Sequence, residues 1–288
     1  MKASPLFVCH NGILLEKNEV HISPFDHGFL YGDGIYETLL FQNETLFHVA
    51  AHLSRLQQSA EKLRIPIPWG KEELEQWAKE VVVKNHLSKA RVRISITRGE
   101  NNFCFSGAKH PTLLITAGAL MDYSEYKKEG VRVAVLPEIF RILPEAKTMS
   151  LLPMILAKQK MEDEGAFECL FLNREGLITE GSISNVLFRK GDKVFVVPEH
   201  LALSGTMQKR VVTLLEKSST NIQEREFTLS DIQNADEAIL TNSLFGILPI
   251  RSICAKQIPN CIGELFRELS AKIFLPEECT NSQKTKHP

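Results

Sequence analysis

An excess of charge of either sign is missing from this chain. Its 288 residues carry 34 Lys and Arg against 35 Asp and Glu, for a net charge of -1. That balance leaves no footprint for nucleic acid or for an anionic membrane. No apolar run is long enough to span a bilayer, and the opening MKASPLFVCHNG lacks the apolar stretch of a signal peptide. The six cysteines, Cys9, Cys104, Cys169, Cys254, Cys261 and Cys279, include no C-x-x-C pair. Several sit inside apolar runs, as reduced and mostly buried thiols do. Gly28, Gly32 and Gly34 lack the G-x-G-x-x-G spacing, and no Gly-Lys-Ser/Thr follows, so a nucleotide loop is excluded and a tight turn feeding a strand is expected. Internal repeats and low-complexity segments are also lacking. The expectation is therefore a cytoplasmic protein with a small-molecule partner.

Hydrophobic residues make up 43 % of the chain, ample for a core, and the length favours two subdomains. Residues 5–15 read as a small hairpin turning at His10-Asn11-Gly12. In the strand that follows, Tyr36, Thr38 and Leu40 share one face and Ile35, Glu37, Leu39 and Phe41 the other. From His48 to Leu63 the spacing of Val49, Leu53, Leu56, Ala60 and Leu63 predicts an amphipathic helix, with Arg55 beside its apolar stripe. A second helix spans about Lys71 to His86. Strands are expected at Arg91–Gly99, alternating Arg91, Arg93, Ser95 and Thr97 with apolar residues, and at Thr112–Ala117. These elements make a small α/β domain over 1–120. Residues 121–129 read as a polar linker, 130–275 as a larger domain and 276–288 as a polar tail. In the larger domain consecutive short strands joined by tight turns imply a largely antiparallel, barrel-like sheet flanked by helices, so the fold class is α+β.

The chemistry concentrates between Glu145 and Phe188. Lys147 precedes a segment where Leu151, Leu152, Ile155, Leu156 and Met161 recur at helical spacing, with Pro153 in the first turn and Gly165 as the stop. A lysine partly desolvated at the mouth of a packed element has a lowered pKa, and its neutral amine can attack a carbonyl to form a Schiff base. A glycine opens the helix at L-S-G-T-M-Q-K-R, where free amides suit a phosphate, although the same glycine is ordinary capping. Two other chemistries are open to these residues. Asp33 and Glu37 are four apart and could serve a hydrolase as paired carboxylates. His48 and His52 could clasp a metal, but no third ligand is evident, so no metal is expected.

The blocks K-T-M-S-L-L, G-A-F-E and T-E-G-S-I-S-N-V, with D-H-G-F-L-Y-G-D-G-I-Y-E-T-L and H-L-S-R-L upstream, resemble the pyridoxal-phosphate enzymes of the class IV aminotransferase family, also called fold type IV. That family includes branched-chain and D-amino-acid transaminases and aminodeoxychorismate lyase. The likeness runs from about Asp26 to about Ile250. It implies that Lys147 forms the Schiff base with pyridoxal 5'-phosphate and that Glu180 pairs with its pyridine nitrogen. It further implies phosphate ligands at Arg55, at Gly205, Thr206 and Met207, and at Ser243. Tyr31, Tyr36, Arg93, Arg98, Asn242 and Leu244 fall at substrate positions, and Thr38 at a catalytic one. A homodimer bordering each site from both subunits is implied as well.

Within the family, Thr38 in Y-E-T-L, the methionine of G-T-M-Q and T-N-S-L-x-G-x-x-P resemble aminodeoxychorismate lyase. K-T-M-S-L-L and G-A-F-E are closer to D-amino-acid transaminase. The arginine and histidine with which that enzyme type grips a carboxylate are replaced here by Glu100-Asn101-Asn102-Phe103, and the tyrosine of branched-chain enzymes by Leu152. The expectation is therefore the lyase, with transamination of a D- or branched-chain amino acid as the alternative and a non-catalytic scaffold as a distant one.

Overall fold

The computed structural model describes residues 6–101, 110–137, 141 and 143–275. The polar tail 276–288, Cys104, Cys279 and the Asn102-Phe103 replacement lie outside the described residues. Strands β1 (Phe7–His10) and β2 (Ile13–Glu16) form the expected hairpin. Asn11 and Gly12 both take positive φ, 50° and 84°, which lets the two-residue turn follow the strand twist. After the short helix α1 (His27–Tyr31) come β3 (Gly34–Gln42), β4 (Thr45–Leu46), α2 (Val49–Leu63), α3 (Lys71–Lys84), β5 (Lys89–Thr97) and β6 (Thr112–Ala119). Their strands make one sheet in the order β2-β1-β6-β5-β3-β4. Helices α2 and α3 cover one face, packing Leu53, Leu56, Ala60, Leu74, Ala78 and Val81 on Ile35, Leu39, Val92, Ile94 and Ile115. Tyr36, Thr38, Arg93 and Ser95 are left on the opposite face, because strand side chains alternate.

The stretch 121–129 contains a helix of its own, α4 (Ser124–Glu129). It is followed by β7 (Val131–Leu136), α5 (Leu152–Asp163), β8 (Glu168–Leu172), β9 (Ile178–Gly181), β10 (Asn185–Lys190), β11 (Lys193–Val196), α6 (Thr206–Lys217) and β12 (Asn221–Glu224). The order ends with α7 (Leu229–Gln233), β13 (Glu237–Asn242), β14 (Gly246–Ile253), β15 (Lys256–Gln257) and α8 (Glu264–Lys272). The nine strands pair as β12-β11-β10-β13-β14-β7-β8-β9, with β15 on β14. Three pairings are parallel, β11 with β12, β14 with β7 and β7 with β8. Each parallel neighbour is joined through a helix or a longer excursion, which parallel geometry requires. The sheet is thus more mixed than the run of short strands suggests.

One helix faces otherwise than expected. In α5 the buried side chains are Met154, Ala157 and Met161, packed on Ala134, Leu136, Cys169 and Phe171. Leu152, Ile155 and Leu156 are exposed, at 64, 55 and 44 %. Apolar residues occupy more than one side of this helix, so spacing alone could not select the packed stripe. Cys9 and Cys169 are buried free thiols and Cys254 and Cys261 partly buried ones. Burial and the Glu168 carboxyl push the Cys169 thiol up to about 12, which makes it inert. Among the described residues no helix is long and apolar enough to cross a membrane.

Candidate active site

The two sheets meet at the segment that carries Lys147. Its carbonyl accepts from the Tyr36 amide at 3.0 Å, the Met149 amide donates to the Gly34 carbonyl at 2.8 Å, and Thr148 bridges Ile35. The Lys147 amide donates to Ser59 Oγ on α2 at 3.1 Å. Residues 147–149 therefore run as an extra antiparallel ribbon against the start of β3, and the helix α5 begins only five residues after the lysine. This pairing fixes the lysine stem and leaves its amine 4.7 Å from the centre of the Tyr36 ring.

A cavity of about 250 Å³ opens in front of that amine. Tyr36, Thr38, Arg91 and Arg93 line it from β3 and β5, Arg55 from α2, and Glu180 and Ser182–Asn185 from the β9–β10 turn. Gly205, Thr206 and Met207 line it from the start of α6, and Thr241–Leu244 from the end of β13. Lys147 itself is among the lining residues. Burial pushes its ammonium below the ordinary lysine value, against the pull of Tyr36 and Glu37, and Arg55 and Arg141 push it further. Burial would raise the Tyr36 phenol, but Lys147, Arg141 and Arg93 outweigh it and hold the phenol below its usual value. The Arg93 guanidinium lies 3.9 Å from the Tyr36 ring centre, a cation on an aromatic face.

Glu180 closes the far wall, 3 % exposed. Burial raises its carboxyl above the usual range, opposed by Arg141 and Lys147. Arg141 Nε sits 2.9 Å from Glu180 Oε1, a Coulombic contact without hydrogen-bond alignment, since neither atom has an aligned partner. The turn behind Glu180 is held by a second carboxylate. Glu168 is fully buried and accepts from Ser182 Oγ and its amide, from Ser184 Oγ at 2.7 Å and from the Ile183 amide at 3.2 Å. These four donors from the turn, beside the Cys169 amide that donates to the same carboxyl group at 2.9 Å, fix the path of Gly181–Ser184.

Arg55, beside the apolar stripe of α2 as the spacing places it, is buried at the junction between the two sheets. Its Nε and Nη2 donate to Glu37 at 2.7 and 2.8 Å, and Nη1 donates to the Ser204 carbonyl at 2.9 Å. His52 Nδ1 lies 2.6 Å from Glu37 Oε2, and its Nε2 lies 3.2 Å from Thr206 Oγ1, which is 3.2 Å from Ser243 Oγ. Arg55 and His52 outweigh the cost of burial and keep the Glu37 carboxyl far below the usual range. Gly205 precedes α6, and a Cβ there would collide with Asn185 Oδ1, so only a bare backbone fits. The amides that open α6 have no acceptor within the helix and face the cavity side.

Of the residues the sequence singles out, Lys147, Thr38, Arg55, Glu180, Gly205, Thr206, Met207, Ser243, Tyr36, Arg93, Asn242 and Leu244 come together around this cavity. Tyr31 and Arg98 do not. Tyr31 is 40 % exposed at the end of α1, its ring edge-on to His27. Arg98 is spent on structure: its Nη2 donates to Asp33 at 3.0 Å and to the Leu63 carbonyl at 2.9 Å, and Nη1 to the Arg64 carbonyl, tying down the end of α2. A one-residue shift along β5 from Thr97 turns Arg98 away from the face that carries Arg93. The paired-carboxylate alternative also dissolves, because Asp33 is held by Arg98 and Glu37 by Arg55 and His52. Among the described residues no group of three or more His, Cys, Asp or Glu could hold a metal ion. Sequence reasoning missed Arg141, Arg91, Glu168 and Thr241. The one available signal was a lone charge in apolar surroundings, as with Glu168 opening an otherwise apolar strand.

A largely enclosed lysine whose ammonium is disfavoured by burial, a buried carboxyl group across the cavity and an anion cradle at a helix start define a cofactor enzyme that works through an amine and a carbonyl. The comparisons agree. The model of the family "Amino-transferase class IV" matches residues 34–253, and the chain belongs to that family of pyridoxal-phosphate-dependent enzymes. It is 28 % identical over 254 residues to a D-alanine aminotransferase of Bacillus licheniformis, covering 87 % of this chain and 89 % of that one. It is also 28 % identical over 262 residues to an aminodeoxychorismate lyase of Vibrio harveyi, covering 88 and 96 %. The fold matches the branched-chain amino acid aminotransferase of Escherichia coli with a TM-score of 0.87 at 21 % identity, over 94 % of both chains. Family membership sets the non-catalytic scaffold aside. The residues present fit the cofactor: Glu180 Oε1, Arg141 Nε and Thr241 Oγ1 are buried without an aligned partner, and the bare Gly205 gives a phosphate room to approach backbone amides.

Proposed function

We propose that the chain is an aminodeoxychorismate lyase, releasing 4-aminobenzoate and pyruvate. Lys147 would take the cofactor aldehyde and Glu180 its ring nitrogen. Arg55, Ser243 and the amides of Thr206 and Met207 would hold the phosphate. When bound, pyridoxal phosphate supplies the carbonyl that captures the substrate amine and a ring that accepts electrons. Lys147 Nζ, whose charged form burial disfavours, accepts the proton from the amine-bearing ring carbon of the substrate. The electron pair left behind forms the ring double bond as the adjacent carbon–oxygen bond breaks. Oxygen departs with the three-carbon unit as the enolate of pyruvate and takes up a proton, so no oxidant is consumed.

The observation that carries the lyase reading is Thr38. It lines the cavity on the same strand face as Tyr36, directly opposite Arg93 in the β3–β5 register. A hydroxyl beside a guanidinium there suits a departing enolate oxygen. The test is incubation of the purified protein with aminodeoxychorismate, which should yield 4-aminobenzoate and pyruvate in equal amounts. Accumulation of pyridoxamine phosphate with D-alanine or leucine, without 4-aminobenzoate, would overturn it. That outcome would favour transamination, for which Arg91 and Arg93 at the cavity supply a carboxylate grip.

The active unit is proposed to be a homodimer. Phe29 is 75 % exposed, and α1 is tied to the start of α5 by Ser150 Oγ donating to the Gly32 carbonyl. With the exposed Tyr31, Leu152 and Ile155 these are apolar side chains that a second copy of the chain would cover. Sedimentation should give twice the chain mass of 32.5 kDa, and Phe29→Glu with Ile155→Glu should give monomers.

A further inference from the structure

Behind the phosphate cradle lies a line of polar side chains that the reaction itself does not use. Glu37 belongs to the core face of β3, among Ile35, Leu39 and Phe41, and is fully buried. Both of its oxygens accept from Arg55, so it is the ionised partner of His52 as well. The Nδ1 of His52, 2.6 Å away, therefore carries a hydrogen and donates it. That leaves the direction of the line His52 Nε2, Thr206 Oγ1, Ser243 Oγ, with 3.2 Å at each step, to be set by what sits at Nε2.

With a neutral imidazole, Nε2 is an acceptor and takes the Thr206 hydroxyl hydrogen. Thr206 then turns a lone pair toward Ser243 and the cavity. A phosphate dianion offers acceptors only, so this direction sets one acceptor against another. Charge works the same way. Glu37 cancels Arg55, and a dianion would face a cradle with little net positive charge beyond the start of α6. A hydrogen on Nε2 corrects both. It donates to Thr206, whose own hydroxyl hydrogen is freed to point to the phosphate or to Ser243, which points there in turn.

We propose that His52 is a positioning residue for the cofactor phosphate: it takes up one proton from solvent when the phosphate enters and so turns the Thr206 and Ser243 hydroxyls toward it. The proposal rests on the assignment of Arg55, Thr206 and Ser243 as the phosphate cradle. The groups facing His52 are Glu37 from β3, Arg55 on its own helix, Lys147 from the segment before α5, and Thr206 from α6. Before the phosphate arrives, burial together with Arg55 and Lys147 outweighs Glu37 and keeps the imidazole neutral. Two negative charges entering beyond Thr206 reverse that balance.

The probe is pyridoxamine 5'-phosphate, which has no aldehyde and so binds without forming a bond to Lys147. Its affinity for the cofactor-free protein is measured by calorimetry from pH 7 to 9, in buffers of different ionisation enthalpy. Uptake of one proton weakens binding by roughly tenfold per pH unit. His52→Gln keeps an amide donor but does not titrate, and Thr206→Val cuts the line while leaving His52 in place. Each should take up about one proton fewer than the unsubstituted protein and show a correspondingly flatter pH dependence. Nitrogen NMR of histidine-labelled unsubstituted protein should show one imidazole turn from neutral to doubly protonated on binding at pH 8. Equal proton uptake by all three proteins, or no imidazole changing state in the complex, overturns the proposal and leaves the cradle standing. Failure of the unsubstituted protein to bind the probe overturns the cradle and the proposal together.

Discussion

Tyr36 and Lys147 are held to each other twice, once by backbone and once by side chain. The amide of Tyr36 donates to the carbonyl of Lys147 at 3.0 Å, and the lysine amine lies 4.7 Å from the tyrosine ring centre. One residue belongs to the first sheet and the other to the segment between β7 and α5 of the second. The Lys147 amine is thus positioned by a β-bridge between the two halves of the chain. A ladder hydrogen bond sets the stem, and the aromatic face limits where the amine can swing.

Lys147→Ala should remove both turnover and the visible absorbance that pyridoxal phosphate gains on attachment to the protein. The readout is a spectral titration beside the lyase assay. Retained absorbance near the unsubstituted value would show that another amine does the work.

Lys147→Met should raise the stability of the cofactor-free protein at neutral pH. Folding lowers the pKa of this lysine through burial, so the unfolded chain binds more protons and the unsubstituted protein gains stability as pH rises toward the ordinary lysine range. The gap in thermal midpoint between the two proteins should narrow over that interval. A constant gap would mean that the gain comes from packing instead of from the buried charge.

Glu37→Gln should cost about 3–5 kcal/mol, the loss expected when a buried ion pair is left with one charged member, here Arg55. Folding depresses the Glu37 carboxyl through Arg55 and His52. Its contribution is therefore full above the ordinary carboxylate value and is lost as pH falls from there toward the depressed one. Urea unfolding between pH 7 and pH 3 should show the two proteins converging in acid.

Arg98→Ala should destabilise the fold by about 2–3 kcal/mol while leaving cofactor affinity within twofold, because its partners are Asp33 and the last carbonyls of α2. A loss of affinity with unchanged stability would return Arg98 to the substrate site.

Thr38→Val should slow pyruvate release by about 10²-fold with cofactor binding intact, the scale of losing a positioned proton donor. An unchanged rate would take Thr38 out of the chemistry and weaken the lyase reading.

Much of this molecule was legible in one dimension. Period-two alternation told Tyr36 and Thr38 from Glu37, and the glycine before α6 marked the helix start that faces the cavity. The T-E-G-S-I-S-N element pointed to Glu180, since its serines are what Glu168 grips to shape the turn. Those features depend on near neighbours in the chain, where spacing alone fixes which side chains share a face.

The remainder depended on partners far apart in sequence. Arg55 meets Ser204 across 149 residues and His52 meets Thr206 across 154, separations at which no periodicity carries information. Arg98 comes one residue after the strand that carries Arg93 ends, and it serves α2 because Asp33 and the Leu63 carbonyl lie beside it. Leu152 and Ile155 suited a core by composition, but Met154, Ala157 and Met161 took the buried side of α5. The sequence by itself determined which chemistry was present and which faces its strands would show. Only the tertiary structure decided which charges neutralise one another, because a buried charge is settled by the groups that surround it in space.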